Sequence, residues 1–415
     1  MNLKHFKKTN SNNLNRKILV FSKSYEAALG IGRSLRLGGA TNVDLYYVGT
    51  DKPVIDKSNV FQNKYYNSRN DDQAIIDDIC EKYKRTDEKV VLFPGDDYST
   101  SLVDRNRKSL EEIFLYTYVD SEEEAPITHL MDKQYQTVIA RKFDMPMAKS
   151  WVLTIDNQRY KVPNDLTYPC FVKPLVSANG PAKSIIRKLN DFNSLANYLG
   201  SLTKKGYTYP VLVQEFIEIE EEYNIHGICD GERLFLPLIH RKLQTANHNK
   251  GVTILGKNLN PSHLGENIDK LKAILLSCNY HGIFNVEMFK SKGIVYLNEI
   301  NFRIAGTCWG TTGAGANLPY LWVNVLLGNV KEWPSLTPKY DSVFINDKTA
   351  MEDLLNGYCG LGDYLRWNRS AAYHLIKNSS DKGPWRVFFM KLVRAYLGKT
   401  RVKFLDNLKN KLNRN

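Results

Sequence analysis

The stretch Gly282-Ile-Phe-Asn-Val-Glu287-Met-Phe-Lys-Ser-Lys-Gly293-Ile-Val-Tyr-Leu-Asn-Glu299-Ile-Asn301-Phe-Arg303 decides the reading of this chain. Each half alternates apolar and polar residues, the mark of a strand with one dry face and one wet face. Asn285 and Glu287 share a face of the first arm, and Glu299 and Asn301 share a face of the second. The Lys-Gly step between them folds the arms into a hairpin. If the loop has an odd number of residues, all four side chains meet on one surface, followed by Arg303. Hard oxygen ligands of this kind suit Mg²⁺, which is usually held by one or two carboxylates plus substrate phosphates. The plain alternative is an amphipathic hairpin with a polar outer face.

Segments upstream weigh against that alternative. Asp132-Lys133 precedes a helical pattern, Met131 to Phe143. Pro169-Cys-Phe-Val-Lys173-Pro174 sets a lysine inside an apolar strand, an odd place for a charge. The small-residue run Val176-Ser177-Ala-Asn-Gly180-Pro-Ala-Lys183-Ser184 follows. Then comes Val211-Leu-Val-Gln214-Glu215-Phe216-Ile217, with Glu222-Tyr223 close behind. In this order, closed by Glu299-Ile-Asn301-Phe-Arg303, the segments resemble the ATP-grasp superfamily of carboxylate–amine ligases. The resemblance covers Ile18 to Gly328. Around Lys133 and Glu299 the chain is similar to the branch that contains D-aspartate ligase.

That resemblance implies an α/β chain with an ATP-grasp fold. Its parts are a basic disordered tail (1–16), a Rossmann-like pre-ATP-grasp domain (17–125), a small lobe with a lid (126–212), a large lobe with the metal site (213–340) and a C-terminal helical segment (341–415). The two lobes form a central α+β nucleotide site. ATP and Mg²⁺, or Mn²⁺, are the implied cofactors, and a small carboxylate and an amine the implied substrates. In the family the γ-phosphoryl of ATP passes to the carboxylate, and an amine then displaces phosphate. Such transfer asks for positioning and charge neutralisation. On this pattern Lys133 and Lys173 contact ATP phosphates as compact charges. Ser177, Gly180 and Lys183 belong to the lid, whose backbone N–H groups approach the phosphates; many members carry more glycine there. Gln214, Glu215, Phe216 and Ile217 form the hinge beside adenine, and Glu222 accepts from ribose hydroxyls. Glu287, Glu299 and Asn301 hold the metals. Arg303 and Arg241 stabilise the carboxylate, the transferred phosphoryl or an oxyanion, for which a planar guanidinium is suited. Several have plain alternatives: an exposed helix-start lysine for Lys133, a simple turn for 176–184, an acidic turn for Glu222, and a surface pair with Lys242 for Arg241.

Length and charge bound the reading. A chain of 415 residues exceeds one compact core and implies two to four domains. No apolar run is long enough to span a bilayer. The six cysteines are scattered, with no Cys-x-x-Cys, as expected of reduced thiols in a cytosol. The net charge of +13 sits in the tails: residues 1–17 carry +5, residues 381–415 carry +8, and the rest sums to zero. A core that grips nucleic acid would be distributed otherwise. Trp385, Phe388, Phe389, Leu392 and Tyr396 fall on one side of a basic helix. Either that helix lies on an anionic membrane surface, giving a cytoplasmic enzyme peripheral at the inner face, or it packs on the catalytic domains. A homodimer is compatible with either arrangement.

The pattern along the chain supplies the scaffold. Strands at 17–21, 43–48 and 89–94 alternate with helices at 26–37 and 73–83, as in a parallel sheet. Gly30-Ile-Gly32 falls inside a helix, so it reads as close packing and not as a dinucleotide turn. Gly95-Asp96-Asp97 ends the third strand, where such sheets bind ligands, or else it caps a helix. Residues 244–266 are polar without period and read as a loop over the site; 340–380 reads as helical. His226, His240 and His248 lie near that loop without metal spacing. Two other functions stay open: phosphorylation of bicarbonate or a carbamoyl group, and nucleotide binding without turnover.

Overall fold

The computed structural model describes residues 15–68, 71–154, 162–175, 185–247, 251–391 and 393–394. Three sheets carry the fold. The first is parallel, in the order β3-β2-β1-β4-β5. It comprises β1 (Ile18–Ser22), β2 (Val43–Tyr47), β3 (Lys64–Tyr66), β4 (Val90–Pro94) and β5 (Phe114–Leu115). All five residues of β1 are buried, as continuous apolar runs in a sheet covered on both faces must be. Ser24 caps the helix Tyr25–Leu37 by accepting from the Ala27 N–H. Gly30 lies inside this helix, and a Cβ there would stand 2.4 Å from Cys308 Sγ. The glycine therefore serves helix packing, as the sequence suggested.

After β6 (Tyr118–Val119), a short antiparallel sheet runs β7-β10-β8-β9. Its strands are β7 (Ser150–Leu153), β8 (Cys170–Pro174), β9 (Arg187–Leu189) and β10 (Val211–Glu215). The third sheet is the largest, with the path β15-β14-β11-β12-β13-β16-β17 and β6 added beside β14. It contains β11 (Glu221–Asp230), β12 (Leu234–Thr245), β13 (Thr253–Leu259), β14 (Tyr280–Ser291), β15 (Ile294–Asn301), β16 (Val343–Ile345) and β17 (Tyr373–His374). One face of this sheet buries Tyr223, Ile225, Ile239, Val286 and Ile300 with Leu271, Ile274 and Leu275 of the helix Asn267–Ser277. Ile127, Leu130 and Ile139 from the helices Pro126–Leu130 and Lys133–Lys142 join the same core.

Two expectations are corrected. The segment 244–266 is not a loop: β12 runs to Thr245 and β13 spans Thr253–Leu259. Gly256 hid that strand, because the Phe344 ring fills the space where a Cβ would stand, 2.2 Å away. Nor is 340–380 wholly helical, since β16 and β17 extend the large sheet between the helices Asp347–Leu355 and Leu361–Ser370.

The C-terminal segment is fastened to the first domain. Arg33, almost fully buried, donates from Nε to Asp381 Oδ2 at 3.0 Å and from Nη1 and Nη2 to the Leu375 and Ile376 carbonyls. Asp381 also accepts from Ser58 Oγ and the Asn59 N–H. Residues 382–391 are helical; Trp385 packs against the first domain's core and Phe388 is buried, whereas Phe389 is 45% exposed. Among the described residues, no helix is long and apolar enough to cross a membrane.

Removing one partner of a buried ion pair leaves the other charge without compensation, at a cost of about 3–5 kcal/mol. Asp381→Ala, or a chain ending at Ser380, should therefore lower unfolding free energy by roughly 3 kcal/mol in urea titration. An unchanged midpoint and slope would contradict this docking.

Candidate active site

The hairpin of β14 and β15 is built differently from the simplest expectation. Its loop has two residues, Lys292 and Gly293, with φ of 47° and 81°, a pair of positive values that suits the twist of a tight hairpin. Pairing runs regularly from Ser291↔Ile294 to Met288↔Leu297. An even loop would send Glu287 and Glu299 to opposite faces. A bulge at Asn298 inserts one residue, and pairing resumes as Glu287↔Glu299, Val286↔Ile300 and Asn285↔Asn301. The four polar side chains thus share one face because of the bulge, not the loop.

Glu299 lies across a small cavity from two lysines. The cavity, about 50 Å³, is lined by Lys133, Gln136, Lys173, Gln214, Asn298 and Glu299 among others. Asp132 caps the helix that starts at Lys133, accepting from the Tyr135 N–H. Lys173 Nζ donates to Gln214 Oε1 at 2.6 Å. Burial, with Lys133 adding to it, pushes the Lys173 ammonium down to about 8, against the pull of Glu299 and Glu287. Glu299 moves the other way. Burial raises its carboxyl; Lys133 opposes this, and Glu287 and Asp97 reinforce it.

Arg303 is held from the first domain. Its Nε and Nη2 donate to the two oxygens of Asp97 at 2.8 and 2.9 Å. Nη2 also reaches Asn301 Oδ1 at 3.2 Å, and Nη1 the Ile304 carbonyl. A guanidinium has five N–H groups, so one at Nη1 is left for a ligand among the described contacts. The neighbouring Asp96 does a separate job. It caps the helix Asp97–Arg105 and accepts from Ser22 Oγ and the Ser24 N–H at the end of β1.

Glu222 shares the site face with Asn224. Its Oε2 accepts from Lys242 Nζ at 2.6 Å, and Lys242 also donates to the Gly251 carbonyl. Arg241 does not join the site. It pairs with Tyr223, whose ring lies in the core under the helices, and alternation therefore sends it to the opposite face. There it binds Glu221 at 2.8 Å. Lys242, one residue on, is the cation on the cleft face, and its parity with Glu222 was the signal for it. In the segment expected to form the hinge, the Gln214 side chain holds Lys173, and Glu215 Oε1 accepts from the Lys149 N–H. The Phe216 N–H donates to the Pro169 carbonyl, its ring lies 5.6 Å from Phe171, and Ile217 is half-buried beside it. Ser177, Gly180 and Lys183 lie outside the described residues.

The donor set fits a hard divalent cation that arrives with phosphate. Burial raises Glu299 and the neighbouring Glu287 reinforces it, so a cation at this face would favour the ionised carboxylate. Among the described residues no group of three or more His, Cys, Asp and Glu side chains could hold a metal unaided. The remaining ligands would be phosphate oxygens and water, as Mg²⁺ or Mn²⁺ sites commonly use.

Comparison with known proteins bears on the fold that carries these residues. Residues 138–314 match the family model of the ATP-grasp domain. The C-terminal section of the carbamoyl phosphate synthase large chain of Methanocaldococcus jannaschii is 24% identical over 221 residues, covering 52% of this chain and 35% of that protein. The corresponding large chain of Methanothrix thermoacetophila is 24% identical over 229 residues, 54% of this chain and 20% of that protein. This chain thus spans about a third or less of the length of these relatives. Among solved structures, the L-amino acid ligase of Bacillus licheniformis aligns with a TM-score of 0.57 at 14% identity, covering 76% of each chain. Carboxyaminoimidazole ribonucleotide synthase of Aspergillus clavatus, solved with ATP, aligns with 0.58 at 15% identity over 80% of this chain and 82% of that one. At these identities the structures establish the shared fold.

A phosphate contact at Lys173 would make ligand binding pH-dependent. Its ammonium titrates at about 8 in the folded protein against an ordinary 10.5, so raising pH through 8 removes the charge before any phosphate arrives. ATP binding should take up a proton near pH 8 and weaken from pH 7 to 9. Calorimetry in buffers of different ionisation heat measures the uptake, and none at pH 8 would count against a phosphate contact. For folding the sign is opposite: between 8 and 10.5 the unfolded chain binds more protons, so this residue's contribution to stability rises with pH.

Proposed function

We propose, from the premise that this chain carries an ATP-grasp domain, that it is an ADP-forming ligase which joins a small carboxylate to an amine. The observation that carries the reading is Glu299, paired with Glu287 on the hairpin and facing Lys133 and Lys173 across one cavity. Phosphoryl transfer needs this mixture of cations and carboxylates more than it needs a protein nucleophile.

Each residue has a part that its position supports. Lys133 and Lys173 neutralise phosphate oxygens, with the Gln214 amide orienting Lys173. The backbone from Gln214 to Ile217 meets the adenine edge. Glu222 exchanges Lys242 for the ribose hydroxyls. Arg303, immobilised by Asp97, offers its free N–H to the substrate carboxylate and later to the oxyanion. Glu287, Glu299 and Asn301 would hold Mg²⁺ or Mn²⁺, which supplies charge neutralisation for the transferred phosphoryl. The carboxylate oxygen bonds to the γ-phosphorus as the bond to ADP breaks. The amine nitrogen then bonds to the acyl carbon as the carbon–oxygen bond to phosphate breaks. Phosphate leaves with the electron pair and the amine's proton.

A second reading is supported by the relatives' names: carbamoyl phosphate synthase and carboxyaminoimidazole ribonucleotide synthase. In it the carboxylate phosphorylated is bicarbonate, and the site residues keep the same parts.

The test is an ADP-release screen with MgATP across bicarbonate, small acids and amino acids, repeated with hydroxylamine to trap acyl phosphates as hydroxamates. An ADP signal that requires one acid and one amine supports the ligase; a signal with bicarbonate alone selects the second reading; no ADP from any acid contradicts both. Glu299→Gln keeps size and loses charge, and should cut turnover by ~10²-fold, about 2.7 kcal/mol of transition-state stabilisation. Full turnover in that variant at limiting Mg²⁺ would refute the assigned site.

A further inference from the structure

Beyond Glu287 the cleft face of the large sheet continues as uncharged polar side chains. Asn224 stands opposite Glu287, and His226 opposite Asn285, on adjacent strands. His240 stands opposite Asn224 on the next strand. All are deeply buried, at 7% exposure for Asn224, 3% for Asn285, 1% for His226 and 0% for His240. His226 Nε2 lies 3.1 Å from His240 Nδ1, and His240 Nε2 lies 3.2 Å from Thr311 Oγ1. Yet Asn224 Oδ1, Asn285 Oδ1 and His226 Nδ1 have no hydrogen-bond partner. Native interiors leave few such atoms unpaired. Asn301 Nδ2, opposite Asn285, is unpartnered as well, and four such atoms on neighbouring positions of one surface, beside the carboxylate pair, require an explanation.

Their chemistry supplies one. The imidazoles and Thr311 form a chain, and in one of its two tautomeric arrangements His226 Nε2–H donates to His240 Nδ1 and His240 Nε2–H donates to Thr311 Oγ1. In that arrangement His226 Nδ1 presents a bare lone pair. Both asparagine oxygens are acceptors too. Burial, with Arg303 behind it, holds His226 down to about 3, so the ring stays neutral at ordinary pH. In that tautomer three acceptors on two adjacent strands, with the Asn301 Nδ2 donor beside them, match a group that brings several N–H bonds. The adjacent Glu287 and Glu299 favour a donor or a cation at this place over an anion.

We propose that Asn224, His226 and Asn285 form the pocket that takes the attacking amine, recognising its N–H bonds through two amide oxygens and one imidazole lone pair. This rests on the ligase reading. The pocket fixes the amine nitrogen next to the metal-binding face, so that attack on the acyl carbon becomes effectively unimolecular.

Leucine is close to asparagine in size and lacks its polar atoms, so Asn224→Leu and Asn285→Leu test the pocket. Replacing a buried amide whose oxygen is unpartnered by an apolar group of like size should be close to neutral for stability. Methylamine and the standard amino acids serve as probe amines, with ADP release as the readout. Both variants should raise the KM for the amine by ~10-fold or more, as a polar site does when its partners are lost. Their thermal midpoints should hold or rise. Hydroxamate formation at saturating hydroxylamine should match the wild type, because a concentrated nucleophile replaces the pocket. An unchanged amine KM in both variants overturns the proposal, as does a parallel loss of hydroxamate or a lowered midpoint. Absence of ATP-dependent hydroxamate from the wild-type protein overturns the ligase reading itself, a result distinct from any of these.

Discussion

Two like charges held opposite each other on adjacent strands set the terms for the rest of the site. Glu287 and Glu299 face one another on one surface, an arrangement that is unfavourable when nothing intervenes. The surroundings answer it. Lys133 lowers Glu299, and Glu299 and Glu287 in turn raise Lys173 against its burial. The balance is incomplete, since Glu299 remains raised and Lys173 remains depressed. That residual mismatch is what a cation and a polyphosphate together would remove. On the proposed function, a site so arranged would resist either ligand alone and accept the two as a pair.

The same logic ties the domains together. Asp97 and Arg303 stand 206 residues apart and meet in a two-pronged contact. Arg33 and Asp381, 348 residues apart, meet in a buried one. The first contact aims a guanidinium at the carboxylate hairpin from the edge of the parallel sheet. The second closes the C-terminal segment over the first domain. Asp96, beside Asp97, holds the end of β1 instead. Neighbouring aspartates therefore serve different levels of the structure, one the scaffold and one the site.

Much of this was legible in the residues because it is local. The strands and helices of the first domain follow from apolar runs and caps, and Lys173 was conspicuous inside an apolar strand. The hairpin was legible too, although the bulge at Asn298 was not. A bulge has no composition of its own, and only the facing of Glu287 with Glu299 across a two-residue turn reveals it. The exchange of Arg241 for Lys242 was missed for a related reason. Two adjacent basic residues look alike in sequence, and strand parity separates them only once Tyr223 is known to be in the core. β13 was hidden by Gly256, where the Phe344 ring fills the place of a side chain, and by the buried Asn258, whose Nδ2 donates to Ser342 Oγ. The Asp97–Arg303 and Arg33–Asp381 contacts are long-range, and nothing in either local sequence points to the other partner.

The central claim is that the carboxylate pair and the two lysines act on phosphate through a shared divalent cation. The most direct measurement is the calorimetric affinity for a non-hydrolysable ATP analogue with excess Mg²⁺ and with chelator. Without the cation, the analogue's phosphates meet Glu287 and Glu299 as like charges. The account predicts at least ~10-fold tighter binding with Mg²⁺, about 1.4 kcal/mol. Equal affinity in chelator would contradict it.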